Sequence, residues 1–181
     1  MKSERTYEVQ GPFDIPTIKN DNNIVTIRKP DKEFWKNETA AKFKDSKGCY
    51  VFGIETTNGA LPYYVGRTNK CFGDEIFNQH NLGKYNYILV HEYGKAKKKN
   101  PFIFFIERPS WKWSKSDLSS MEKFLIEMAF LRNPKIENNN GKNKRNWSIK
   151  NVVSDNKNER KPNKAESEFR ELMGIQRKQK I

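Results

Sequence analysis

The chain has 181 residues, 35% of them hydrophobic and 31% charged, and a formal net charge of +13. That length suits one domain with appendages around a modest core, and the positive balance points to polyanionic partners. Two Cys and two His without CxxC or HxxxH spacing exclude a disulfide scaffold and a structural zinc, while the longest wholly apolar run, Phe102 to Ile106, is too short to span a bilayer. The opening MKSERTYEVQ lacks the apolar core of a secretory signal, so a soluble, cytoplasmic protein without a membrane partner is expected.

In chain order, residues 1 to about 30 mix short apolar alternations (Ile24, Thr26, Arg28) with Pro12, Pro16 and Pro30, and read as an extended arm with one strand. From Asp31 to Phe43 the positions of Phe34, Trp35, Ala40, Ala41 and Phe43 suit a short helix, preceded by Pro30 and stopped before Lys47-Gly48. Cys49 to Thr56 is the first clear strand, Asn58-Gly59 marks a turn, and Pro62 to Thr68 is the returning strand. Phe72, Ile76 and Phe77 predict a short helix within Cys71 to His80; Asn81 to Tyr87 reads as a loop, and Ile88 to Tyr93 as further helix ended by Gly94. Lys95, Lys97, Lys98 and Lys99 make a basic loop before the strongest strand, Phe102 to Glu107, whose unbroken apolar run predicts a central, buried place.

Ser114 and Ser116 are candidate caps for the best helix, Lys115 to Leu131, in which Leu118, Met121, Leu125, Ile126, Met128 and Ala129 form an apolar stripe. Pro134 closes it. Asn138 to Gly141 is a loop and Asn156 to Asn163 a charged linker; Phe169, Leu172 and Met173 then place a small helix over Ala165 to Met173. Residues 140–181 hold twelve Lys or Arg against five Asp or Glu, so more than half of the positive excess lies in the last quarter.

The hairpin carries the chemistry. Gly48-Cys49-Tyr50 and Tyr64-Val65-Gly66 each deliver a Tyr and a Gly to paired strands, whose side chains sit opposite one another, so two phenol oxygens can approach one phosphate. Either Tyr alone would be an ordinary strand aromatic. Downstream, Glu122 stands in Glu122-Lys123-Phe124-Leu125-Ile126 on the striped helix, where by itself it would be a surface Glu pairing with Lys115 or Lys123. Together GCYVFGI, YYVGRT and MEKFLIEMAFLRNPKIEN resemble the GIY-YIG nuclease family, over about residues 48–138.

The resemblance implies an α/β (α+β) fold with a small three-stranded, mainly antiparallel sheet flanked by helices, and metal-dependent hydrolysis of phosphodiester bonds. It implies Tyr50 as general base on water, a role that contributes ~10²–10⁴-fold when well placed, and Tyr64 as a holder of water and phosphate. Because a free phenol ionises near pH ~10, Tyr50 would need a cation beside it. Glu122 would bind one Mg²⁺ or Mn²⁺, which stabilises the leaving oxygen. Asn138 fits the Pro-x-x-Asn end of the family pattern with one extra residue. The usual Arg on the helix after the second motif is absent from Cys71 to Phe77; Asp74 or Glu75 takes its place. Either Arg67 holds the phosphate instead, or Glu75 and Glu122 share a metal. His80 is a candidate proton carrier or phosphate ligand beside an ordinary structural reading, and a bacterial branch of the family is similar in having a Glu at the Arg place and a His followed by a Tyr-Asn pair.

Lys97, Lys98, Lys99, Lys144, Arg145 and Lys150 are candidates for backbone phosphate contacts, which give affinity with little sequence preference. Trp147 is placed to stack on a base or pack on the core, whereas Trp111 and Trp113 read as packing residues. The expected organisation is an N-terminal arm and short helix (1–46), a GIY-YIG-like nuclease domain (47–153), and a basic linker with a C-terminal helix (154–181). The expected partner is nucleic acid, DNA before RNA, cut one strand at a time, so that double-strand cleavage needs a homodimer or two visits. A catalytically inactive nucleic-acid-binding module with the same fold is the alternative, favoured by the missing helix Arg, followed by an interaction domain whose basic tail docks on a protein. No glycine-rich nucleotide loop or Ser/His/Asp order supports a small-molecule enzyme.

Overall fold

The computed structural model describes residues 5–19, 21, 24–28, 31–56, 59–93, 100–107, 114–133, 135–138, 147–152 and 161–175. Its strands are β1 (Arg5–Asp14), β2 (Ile18–Lys19), β3 (Val25–Thr26), β4 (Gly48–Thr56), β5 (Gly59–Thr68), β6 (Pro101–Glu107) and β7 (Trp147–Ile149). Its helices are α1 (Asp31–Phe34), α2 (Glu38–Ala41), α3 (Phe72–Glu75), α4 (Gln79–Ile88), α5 (Lys115–Arg132) and α6 (Lys164–Leu172), with a π-helical turn at Leu89–Tyr93 after α4. The result is a mixed α+β fold. None of these helices is long and apolar enough to cross a membrane.

One sheet organises the chain, in the order β5-β4-β6-β1-β7, antiparallel from β5 to β1 and parallel between β1 and β7. The expected three strands are therefore part of a five-stranded sheet. The segment read as an arm supplies β1, whose hydrogen-bonded partner β6 lies on the other side of the expected boundary at residue 46.

β6 is apolar from Pro101 to Ile106 because both its faces are covered there. Phe102, Phe104 and Ile106 pack with Leu118, Met121 and Leu125 of α5 and Phe169 and Leu172 of α6. Ile103 and Phe105 pack on the opposite face with Phe34, Phe72, Tyr50 and Tyr85. β1 changes sides midway: Tyr7 and Val9 join the first cluster and Phe13 the second, after a bulge between Gln10 and Phe13 in its pairing with β6.

The helix expected from Asp31 to Phe43 is split into α1 and α2, and Asn37 caps the second through bonds from Thr39 N and Ala40 N at 3.0 and 3.1 Å. Ser114 caps α5 as expected, accepting from Asp117 N at 3.1 Å. The stretch Asn81 to Tyr87, read as loop, is helical. Asn78 starts α4 by accepting from Asn81 N at 2.8 Å, and Asn81, Tyr85 and Ile88 turn one buried stripe inward. Tertiary packing overrides the weak helix propensity of its Asn and Gly residues.

Amide side chains substitute for strands at two places. Asn86 accepts from Ile27 N at 2.7 Å and donates to Ile27 O at 3.1 Å, tying the N-terminal segment to α4. Asn138 does the same on the open edge of β5, accepting from Val65 N at 2.8 Å and donating to Val65 O at 2.7 Å. With Glu137 N bonded to Tyr63 O and Asn133 Nδ2 to Pro62 O, Asn133, Glu137 and Asn138 cover that edge from Pro62 to Val65.

Glu8 and Glu107 face each other across β1 and β6. Burial first, and then the Glu8 charge, push the Glu107 carboxyl above its ordinary pKa, against a bond from Ser46. The folded state thus holds this proton more tightly than the unfolded chain, so the contribution of Glu107 is most favourable below the unfolded pKa and is lost as pH rises through the folded one. Replacing a directly opposed like charge is worth a few tenths of a kcal/mol or more. Glu107→Gln is expected to melt about 2 °C above wild type at pH 7, with the gap closing near pH ~4; a gap independent of pH would contradict this assignment.

Candidate active site

The β4–β5 register places Tyr50 opposite Gly66 and Phe52 opposite Tyr64, with a bulge that inserts Tyr63 before Gly53 pairs with Pro62. Because of that extra residue, Tyr63 and Tyr64 both belong to the cluster containing Tyr50 and Phe52. The motif glycine has a definite task. A Cβ on Gly66 would collide with the ring and hydroxyl of Tyr50, so only Gly lets the phenol lie across the neighbouring strand.

Around Tyr50 sits a compact polar group. Its ring centroid is 6.2 Å from that of Tyr64, which in turn is 6.0 Å from Tyr85. Tyr85 stacks on Phe52 at 4.2 Å. Asn81 Nδ2 donates to Tyr50 Oη at 2.8 Å and to the Glu75 carbonyl at 2.8 Å, with the Glu75 carboxylate at 3.3 Å. Lys84 Nζ donates to Tyr64 Oη at 3.3 Å and lies 4.4 Å from the centre of that ring. Asn81 and Lys84 were not singled out from sequence, and Tyr85 entered only as the Tyr of the Tyr-Asn pair after His80; their spacing along α4 was the available signal, hidden because the stretch reads as loop.

Burial is the main cause that lifts the Tyr50 hydroxyl well above the ordinary phenol range, with Tyr85, Tyr64 and Glu75 adding to it and the Asn81 bond opposing it. Tyr50 is therefore a neutral phenol here. Tyr85 is raised in the same way, by burial and then by Tyr64, with the Tyr50 hydroxyl offsetting part of the effect; its own oxygen is buried without a hydrogen bond of good geometry.

Arg67 and Glu122 occupy the other face. Arg67 pairs in register with Cys49, whose side chain packs toward α5, and its Nε donates to Glu122 Oε2 at 2.7 Å. Burial raises the Glu122 carboxyl, Arg67 opposes, and Glu75 raises it further. Cys49 is a buried thiol pushed well above its ordinary range, with Sγ 3.7 Å from Leu118 O, and has the character of an inert core residue.

The remaining expected site residues divide. Glu75 and Glu122 lie within electrostatic reach of each other, and Glu75 also reaches Tyr50. His80 is exposed at the start of α4, one position before Asn81, and a single helical step of ~100° gives Asn81 the inward place. Lys150 sits after β7, at the edge of the sheet opposite β5, with Nζ on Glu8 Oε1 at 2.9 Å. Lys97, Lys98, Lys99, Lys144 and Arg145, with Trp111 and Trp113, lie outside the described residues.

Among the described residues no group of three His, Cys, Asp or Glu is placed to hold a metal ion. Compared with protein families, with curated proteins and with solved structures, the chain finds no match in any of the three.

Proposed function

We propose that this protein is a metal-dependent nuclease, hydrolysing phosphodiester bonds in nucleic acid and DNA in the first place, with β4, β5 and β6 as a GIY-YIG-like unit. One observation carries the reading. Asn81 Nδ2 joins the Tyr50 hydroxyl to the Glu75 carbonyl on one face of the hairpin, and Arg67 Nε joins Glu122 on the other, so the residues that the resemblance implies are each held by a hydrogen bond next to the two motif strands.

The donor set suits a hard cation. The Glu75 charge disfavours that of Glu122, which a cation beside Glu122 would relieve, and Mg²⁺ is held by one or two carboxylates and several waters rather than by a full protein cage. When bound there, Mg²⁺ or Mn²⁺ stabilises the departing oxygen and the charge of the transition state. The chain's own groups do the rest. Tyr64, with Lys84 on its hydroxyl, binds a phosphate oxygen; Arg67, once released from Glu122, offers its guanidinium to another. Asn81 holds the Tyr50 oxygen in place by donating to it; because burial keeps Tyr50 a neutral phenol, it would take a proton from water only after a cation beside it had drawn off its own.

A second reading has its own support. The Arg67–Glu122 pair at 2.7 Å and the full burial of Tyr50 suit a protein that binds nucleic acid without cutting it. The discriminating experiment is incubation with supercoiled plasmid and with branched and single-stranded oligonucleotides in Mg²⁺, Mn²⁺ or EDTA. Nicked product in either metal and none in EDTA is the expected result; retarded complexes without product in any metal would leave the binding module as the function.

A further inference from the structure

On the side of β5 where Tyr63 emerges at the bulge, a pocket of about 450 Å³ is lined by Tyr63, Tyr87, Ile88, His91, Lys135 and Glu137. That volume is in the range of small-ligand sites. One face of α4 leads into it. Lys84, which reaches the Tyr64 hydroxyl, is followed three, four and seven positions later by Tyr87, Ile88 and His91, the spacing that keeps side chains on one side of a helix. The π-helical turn places the His91 ring 4.0 Å from that of Tyr87, tilted by 31°.

His91 Nδ1 is 2.8 Å from the Tyr87 carbonyl. Since a carbonyl only accepts, Nδ1 carries a proton and donates in this contact. The pair is thus a fixed aromatic platform, and Tyr87 is 53% exposed on it. A fixed, open aromatic surface beside a lysine, in a chain of net charge +13, fits a flat π-system that carries a phosphate.

We propose that this pocket receives one unstacked nucleobase of a single-stranded nucleic acid. The base extends the Tyr87–His91 stack on its open side, and Lys135 and Lys84 serve its neighbouring phosphates. Glu137, the acidic group of the lining, accepts from an exocyclic amino group on the base. An intact duplex keeps its bases stacked and cannot fill the site. The inference rests on the proposed action on nucleic acid and narrows its substrate to single strands or splayed ends.

The test measures binding in EDTA, where no cleavage occurs, using a labelled single-stranded oligonucleotide and the same sequence as a duplex, with wild type, Tyr87→Ala and Tyr87→Phe. Loss of one stacked base corresponds to about ten-fold in affinity. Tyr87→Ala is expected to weaken single-strand binding by about that factor and leave duplex binding unchanged, with Tyr87→Phe close to wild type. A 2-aminopurine placed in the single strand should lose fluorescence on binding wild type, and only weakly on binding Tyr87→Ala. Equal losses on both substrates, no loss on either, or no binding of any nucleic acid would overturn the base pocket. Cleavage in Mg²⁺ is scored separately: selective single-strand binding without products removes the nuclease reading and leaves the pocket standing.

Discussion

Gly48→Ala is expected to lower the melting temperature by roughly 10 °C, the largest loss of stability among single-methyl additions to the two motifs. Gly48 pairs with Glu107 of β6 on one side and Thr68 of β5 on the other. A Cβ there would collide with the backbone carbonyl of Ile106 and stand 3.0 Å from the Phe72 ring. Backbone in the middle of a sheet cannot rotate aside as a side chain can, so the strands must separate or β4 must twist. Overpacking of this kind costs about 1–3 kcal/mol and occasionally more, and a backbone obstacle belongs at the upper end. At ~2–4 °C per kcal/mol for a chain of this size, that gives the stated shift. Gly66 meets a different obstacle, the Tyr50 side chain, so the two motif glycines separate a requirement of the sheet from a requirement of the site. Calorimetry decides the matter: a Gly48→Ala melt within a degree or two of wild type would mean that β4 and β6 do not approach as described.

The parts legible in the sequence were those with an uninterrupted period. β4, β5, β6 and α5 are long enough for alternation, or for an apolar stripe, to show, and Ser114 marked the start of α5. β1 was missed as a full strand because Gly11 and Pro12 look like a break between Val9 and Phe13; the three apolar positions keep one period-two phase in the sequence, and the Gln10–Phe13 bulge sends Tyr7 and Val9 to one face and Phe13 to the other. α4 was missed because its start depends on one hydrogen bond accepted by the Asn78 side chain and its inward residues include a polar Asn81, which no hydrophobic pattern marks.

The site shows the same division. The two Tyr–Gly motifs could be read because they lie on paired strands, and Gly66 takes its meaning from the Tyr50 ring above it. Contacts between distant segments could not be read. Nothing local in the sequence joins Arg67 to Glu122, 55 positions apart, or Asn138 to the backbone of Val65. Lys150 illustrates the converse: a basic residue in a basic tail is held by Glu8 at the far edge of the sheet, so local charge was a poor guide to its place.

Glu122→Ala is expected to reduce metal-dependent nicking by at least about a hundred-fold, the scale on which removal of one group that stabilises transition-state charge is felt. The protein should remain folded. Glu122 is 22% exposed and its partner Arg67 33%, so the guanidinium left behind can be hydrated instead of staying as a buried, unpaired charge. Nucleic-acid affinity in EDTA should be equal to wild type or tighter, because the change removes a negative charge and frees Arg67 for phosphate. Glu122→Gln sharpens the comparison, since its amide oxygen can still accept from Arg67 Nε but carries no charge to hold a cation. Both variants inactive, folded and still binding would assign the carboxylate to the chemistry. Cleavage at the wild-type rate by Glu122→Ala would remove Glu122 from the site and leave its contact with Arg67 as a structural ion pair.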